Sequence, residues 1–218
     1  MTTFVLVHGA WHGPWTWDRV VPLLEREGAK TIAPDLTHAA DAGLRTHVDE
    51  VVSVLDAAGD VVLAGHSYGA LVAREAADLR PGRVKHIVMI EGWAGADGMS
   101  LFDLAPEGFV EAIRSWAGPD GEIPAPAPER FGITDPEDAR WLAERLRPQF
   151  LRTFTEATRL SGAVGTIPGT GIFCRPQVLP FERMAVSLGY RAIGLDAPHD
   201  VPLTDPRPVA DGLLEAAG

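Results

Sequence analysis

The chain has 218 residues, enough for one packed core with an insertion but hardly for a second independent domain. Its formal net charge of −11 excludes a basic nucleic-acid surface and argues against anionic membranes. With 46% hydrophobic and 22% charged residues it has the composition of an ordinary folded protein, and its richness in Arg, Ala, Gly and Pro reads as the genomic bias of a GC-rich bacterium.

Short apolar runs alternate with longer helical stretches from the N-terminus. Phe4–Val7 reads as a strand buried on both faces, without the basic flank or length of a signal peptide. Trp17–Glu27 follows at helical spacing and stops at Gly28. Thr31–Ala33 is a short second strand, Leu44–Ala58 a helix ended by Gly59, and Val61–Ala64 a third strand. Ala70–Leu79 is the next helix and His86–Ile90 the fourth strand. The rhythm then breaks for roughly 70 residues, far beyond an ordinary connection. That stretch carries helices of its own, predicted at Pro106–Trp116, Asp135–Arg147 and Phe150–Leu160, with a Pro-rich linker over Pro119–Pro128. Thr134 and Glu137 have capping-box spacing before the second of these. The sheet pattern resumes with a strand at Thr170–Cys174, a helix at Phe181–Leu188, a strand at Arg191–Leu195 and a closing helix at Pro206–Ala216. Alternation of this kind predicts a parallel sheet with helices on both faces. We expect residues 1–91 and 166–218 to form the core and 92–165 a helical cap inserted into it.

Cys174 is the one cysteine, so no disulfide framework is implied, and its apolar run makes it a buried strand thiol. No apolar run approaches the ~18 residues of a membrane span, and the cytoplasm is the expected location. No metal-ligand spacing, P-loop or dinucleotide fingerprint is present, so no cofactor is expected. A homodimer is compatible with the sequence but not specified by it.

Gly65-His66-Ser67-Tyr68-Gly69 fits G-x-S-x-G between a strand and a helix, the context a strained nucleophile turn requires. A serine hydroxyl is a poor nucleophile near neutral pH and needs a base and donors for the developing oxyanion. His199 follows the last strand and is the only histidine beyond residue 86, which makes it the candidate base. The Gly-containing loop His8–Gly13 after the first strand is placed to supply an oxyanion donor. The backbone N–H groups of Ala10 and of Tyr68, the residue after the nucleophile, are the candidates. His8 is expected to brace that loop and His66 to pack behind the turn. Asp35 reads as a structural loop residue. Trp11 and His12 are candidates for the pocket wall or for packing, and Trp93, Trp116 and Trp141 for the cap side of the pocket.

The stretches Phe4–Trp17, Ala64–Gly69 and Leu195–Asp200, with the segment Asp138–Leu142, resemble the small bacterial esterases and plant methylesterases related to hydroxynitrile lyases. The resemblance spans nearly the whole chain. It implies an α/β-hydrolase fold, with a six-stranded, mostly parallel sheet, a helical cap, no cofactor, and a serine–histidine–acid site. Cyanohydrin lyases carry Thr where this chain has Gly9 and Lys where it has Asp200, so that activity is disfavoured. Relatives usually place the acid after the strand matching Thr170–Cys174, but here Arg175-Pro176-Gln177-Val178 follows. Glu91, at the end of the preceding strand, occupies the position that looks like the acid of haloalkane dehalogenases. Asp196 and Asp200 flank His199 but are too near in sequence to face its ring. The expected activity is hydrolysis of an uncharged carboxylic ester or lactone. The alternatives are a cyclase, thioesterase or lyase of small-molecule biosynthesis on the same site, or a non-enzymatic small-molecule receptor.

Overall fold

The structure is a computed structural model and describes residues 1–218. Six strands form one sheet: β1 (Thr3–Val7), β2 (Lys30–Ile32), β3 (Val61–His66), β4 (Val84–Ile90), β7 (Gly169–Cys174) and β8 (Arg191–Leu195). A short antiparallel pair, β5 (Glu122–Ile123) and β6 (Gln149–Phe150), lies outside it. The sheet order is β2-β1-β3-β4-β7-β8, and every pairing in it is parallel.

Alternate residues of the central strands enter two separate cores, as the two-residue period of a strand requires. Phe4, Leu6, Val62, Ala64, Val88 and Ile90 pack on one face with Leu24 of α1 (Val21–Arg26) and Leu213 of α10 (Pro206–Ala216). Val5, Val7, Leu63, Ile87 and Met89 face the other way, toward α2 (Leu44–Ala58), α3 (Tyr68–Leu79) and the residues between β4 and β7. Burial on both faces explains why these strands are unbroken apolar runs.

The intervening segment holds α4 (Leu101–Leu104), α5 (Glu107–Trp116), α6 (Pro136–Ala143) and α7 (Leu151–Thr155). Here the sequence expectations need correction. The helix predicted over Asp135–Arg147 stops at Ala143, because Arg147 is drawn away: its N–H bonds Trp11 O at 2.8 Å and its guanidinium bonds Asp35. Its N-cap is Asp135, whose Oδ1 accepts from the N–H of Glu137 and of Asp138 at 2.9 Å, so the Thr134–Glu137 capping box does not form. Pro136 decides this, since it holds the preceding residue in extended conformation, which is the N-cap conformation. The predicted linker contains β5, and the helix predicted over Phe150–Leu160 is only the five residues of α7. In the core, the helix predicted over Trp17–Glu27 splits into a 3₁₀ turn at Pro14–Trp17 and α1. Two short elements close the chain before α10: α8 (Phe181–Ser187) and α9 (Val201–Thr204).

Candidate active site

Ser67 stands between β3 and α3 with φ +52°. A side chain in this left-handed region is strained and has to be held there. Its N–H bonds Ile90 O at 3.0 Å, and its carbonyl accepts from Ala70 and Trp93. The flanking glycines are required by close approach. A Cβ on Gly65 would lie 2.6 Å from the Ala70 backbone, and one on Gly69 would lie 2.6 Å from Val7 O. Helix α3 therefore starts directly against the ends of β1 and β3.

Only three non-glycine residues occupy positive φ, and all three are in this region: Trp11 (+65°), Ser67 (+52°) and Glu91 (+45°). Glu91 lies one residue past β4 and is buried. Its N–H continues the ladder to Ile172 O at 2.8 Å, while its Oε1 accepts the Cys174 N–H at 2.6 Å. The carboxylate thus reaches across to the end of β7, where relatives usually carry their acid. Its other oxygen, Oε2, lies 3.1 Å from His199 Nδ1. Asp196 and Asp200 make no such contact; Asp200 instead bonds His12 Nε2 at 3.0 Å.

The His199 ring is flanked by two aromatic rings in near-parallel orientation. Phe181 lies at 5.7 Å and 23°, and Phe131 at 6.5 Å and 16° between centroids. Its backbone carbonyl accepts from His66 Nε2 at 3.0 Å. His66 is fully buried behind the turn, and burial first, with the nearby His199 second, pushes its pKa down to about 3. Nothing in the sequence pattern marks Phe131 and Phe181 as neighbours of the base. They come from a 3₁₀ turn of the inserted segment and from α8.

Ser67, Glu91 and His199 line one cavity of about 810 Å³ with Ala10 and Tyr68. Ser67 Oγ and His199 share no hydrogen bond, a looseness common before substrate tightens such contacts. Trp11, His12, Trp93 and Trp116 line the same cavity, as do Phe109, Ile113 and Phe154. Trp141 does not: it packs edge-on against Trp15 at 5.5 Å, under the Arg145 guanidinium. Its face of α6 is turned toward the loop after β1 and away from the cavity. Cys174 also borders the cavity, but burial first and Glu91 second raise its thiol pKa, so it is not poised as a nucleophile.

His8 donates from Nδ1 to Gly9 O at 2.9 Å and accepts the Leu36 N–H at Nε2 at 3.1 Å, which fixes a neutral tautomer. Burial drives its pKa down to about 3. Asp35 is held by Arg147, and the Arg147 bond keeps its carboxyl below the usual range. Two groups of metal-ligating side chains come close, His8–Asp35–His38 and His66–His199–Asp200. In each, ligand atoms are already engaged: His38 by the Pro148 and His12 carbonyls, His199 by Glu91 and Asp200 by His12.

A parallel six-stranded sheet, helices on both faces, and a strained serine turn lining one cavity with a histidine–carboxylate pair define the α/β-hydrolase class. The profile described as "Alpha/beta hydrolase family" matches residues 4–212, and the chain belongs to that family. A carbendazim hydrolyzing esterase of Nocardioides sp. (strain SG-4G) is 28% identical, over 98% of each chain. Methylesterase 9 of Arabidopsis thaliana is 35% identical over 41% of this chain and 40% of its own length. Among solved structures, an extracellular alpha/beta-hydrolase from a Paenibacillus species superposes with a TM-score of 0.89 at 22% identity, covering 99% of both chains. Esterases are thus among the relatives, as the resemblance implied, together with an alpha-hydroxynitrile lyase of Arabidopsis thaliana, 31% identical over 41% of this chain and 39% of its own length. No helix of the structure is long and apolar enough to cross a membrane.

Proposed function

We propose that the protein is a serine hydrolase that cleaves an uncharged, partly apolar carboxylic ester or lactone through an acyl-enzyme. The observation that carries this reading is the His199 Nδ1–Glu91 Oε2 contact of 3.1 Å at the wall of the cavity that also holds Ser67. Glu91 keeps the Nδ1 proton in place, so His199 Nε2 is the lone pair that takes the proton of Ser67 Oγ. The alkoxide attacks the acyl carbon. The N–H groups of Ala10 and Tyr68 receive the charge on the carbonyl oxygen. His199 then protonates the leaving alcohol; in the second half it takes a proton from water, the hydroxide attacks the acyl carbon, and His199 returns the proton to Ser67 Oγ as the acid leaves.

Residues 92–165 act as a cap in this reading. Phe109, Ile113, Trp116, Phe131 and Phe154 give the cavity an apolar wall on that side, which supports a neutral substrate. A full-length relative named for carbendazim hydrolysis supports ester-type chemistry without fixing the substrate. The test is a fluorophosphonate probe followed by panels of esters and lactones. Wild type should be labelled and turn over neutral esters, Ser67→Ala should do neither, and chelators should leave both unchanged. Equal labelling of the two proteins would overturn the assignment.

A further inference from the structure

The candidate oxyanion donor, Ala10 N–H, shares a peptide unit with Gly9 C=O. In a planar trans peptide these two groups point in opposite directions. Whatever holds Gly9 O therefore aims Ala10 N–H. Two donors hold it: His8 Nδ1–H at 2.9 Å and the backbone N–H of His12 at 3.3 Å. The next carbonyl, Ala10 O, is held by His12 as well, from its ring Nδ1 at 2.8 Å. Trp11, between them, sits at φ +65°, a conformation that a bulky residue keeps only under restraint.

The other ring nitrogen of His12 meets Asp200 Oδ2 at 3.0 Å, and both side chains are 2% exposed. Ala10 O can only accept, and Asp200, whose carboxyl despite burial is held below its ordinary pKa by His12, is ionised and accepts too, so His12 is an imidazolium with Asp200 as its counter-ion. Burial opposes that charge, but Asp200 overcomes it and lifts the His12 pKa above the ordinary value. Asp200 directly follows His199, and its carbonyl accepts from Leu203 and Thr204 at the start of α9. The loops after β1 and after β8 leave strands that are not neighbours in the sheet. The pair is a buried bond between the oxyanion loop and the loop carrying the base.

We propose that His12 is the positioning residue of the oxyanion loop and that Asp200, by keeping it charged, latches that loop to the loop of His199. The proposal rests on the hydrolase reading above. A buried ion pair is weak evidence for stability, since apolar residues of similar volume often pack as well. What such a pair supplies here is direction: two protons, aimed at Ala10 O and at Asp200.

Two substitutions separate the two bonds. His12→Asn places an amide nitrogen near the former Nδ1 and keeps the donor to Ala10 O; combined with Asp200→Asn it leaves no stranded charge. His12→Gln reaches toward Asp200 and abandons Ala10 O. Turnover of p-nitrophenyl acetate is measured per Ser67 site titrated to its end point with a fluorophosphonate, so unfolded molecules do not count. His12→Gln should lose about 100-fold in kcat with KM within about 3-fold, the scale of a weakened oxyanion donor. The His12→Asn/Asp200→Asn variant should recover at least about 10-fold of that loss. The positioning role is overturned if His12→Gln keeps kcat per titrated site, or if the double variant recovers nothing and both merely lose thermal stability; the latch is overturned if the double variant, which lacks the bond to Asp200, recovers the whole loss. A wild type that neither labels nor turns over the ester would remove the hydrolase reading itself, and the latch with it.

Discussion

The sheet and the segment between β4 and β7 both contribute fully buried side chains but are built differently. Leu63 and Val5 in the sheet are fully buried, and so are Ile123 and Leu142 in the segment. In the sheet the burial comes with a period. Continuous apolar strands alternate with helices such as α2, whose Leu44, Val48, Val51, Val52 and Leu55 share one face. The segment has helices of four to ten residues, and only α5 shows a clear stripe, with Phe109, Ala112, Ile113 and Trp116 on the cavity side. They are held by bonds to the core: Arg19 to Asp138, Arg147 N–H to Trp11 O, Arg147 to Asp35, and Trp11 Nε1–H to Ile123 O at 3.2 Å. Burial by itself leaves no mark in a sequence; repetition does. On the hydrolase reading the chemistry belongs to the sheet ends and the selectivity to the inserted segment, so substitutions on the two sides should have different effects.

The largest effect should come from the end of β4. Glu91→Gln keeps the shape of the side chain but removes the charge that stabilises the His199 imidazolium. On the hydrolase reading, kcat should fall by about 10³–10⁴-fold with KM little changed. Steady-state kinetics on a simple aryl ester check this, and a loss under tenfold would mean that another group orients His199.

Acid should next attack the core side of the comparison. Burial lowers the pKa of His8 and His66 from the ordinary 6.5 to about 3. Between those values the unfolded chain binds protons that the folded chain refuses, so stability is complete above pH 6.5 and falls as pH drops toward 3. The slope is on the order of 1.4 kcal/mol per pH unit for each histidine. His12 acts in the opposite window. Its pKa is raised despite burial, through Asp200, so its contribution is present below 6.5 and is lost as pH rises through the folded value. Urea unfolding from pH 7.5 to 4.5 should show a steep acid loss, and a flat profile would contradict the buried neutral state of His8 and His66.

Within the inserted segment the effects should be on selectivity. Trp116 lines the cavity and is 36% exposed, so Trp116→Ala should shift kcat/KM between bulky and acetyl esters by about tenfold, the worth of one to two buried methylenes. Trp141→Ala should leave that ratio alone, because Trp141 packs on Trp15 instead. A matched ester series run on both variants separates the two cases. The smallest effect is local. Asp135→Ala removes the N-cap of α6 and should cost about 1 kcal/mol in thermal or urea unfolding, while Thr134→Ala should cost almost nothing.

The parallel sheet, though not its strand order, was implicit in the strand–helix alternation, and the strained turn at Ser67 was legible because glycines on both sides have a steric cause in the packing of α3 on β1 and β3. The pairing of Glu91 with His199 was expected from its resemblance to the acid position of haloalkane dehalogenases, once Arg175-Pro176-Gln177-Val178 offered no carboxylate directly after β7, and the distance came only with the fold. Other features had no local sign. Phe131 and Phe181 beside the His199 ring, the turning of Trp141 away from the cavity, the end of α6 at Ala143 and the partnership of His12 with Asp200 all join residues far apart in the chain. Periodicity, caps and glycine turns are written in neighbouring residues, because they follow from backbone geometry within a few positions. Which loop ends meet above the sheet depends on strand order and on packing across it, which are set by contacts between residues far apart in the chain.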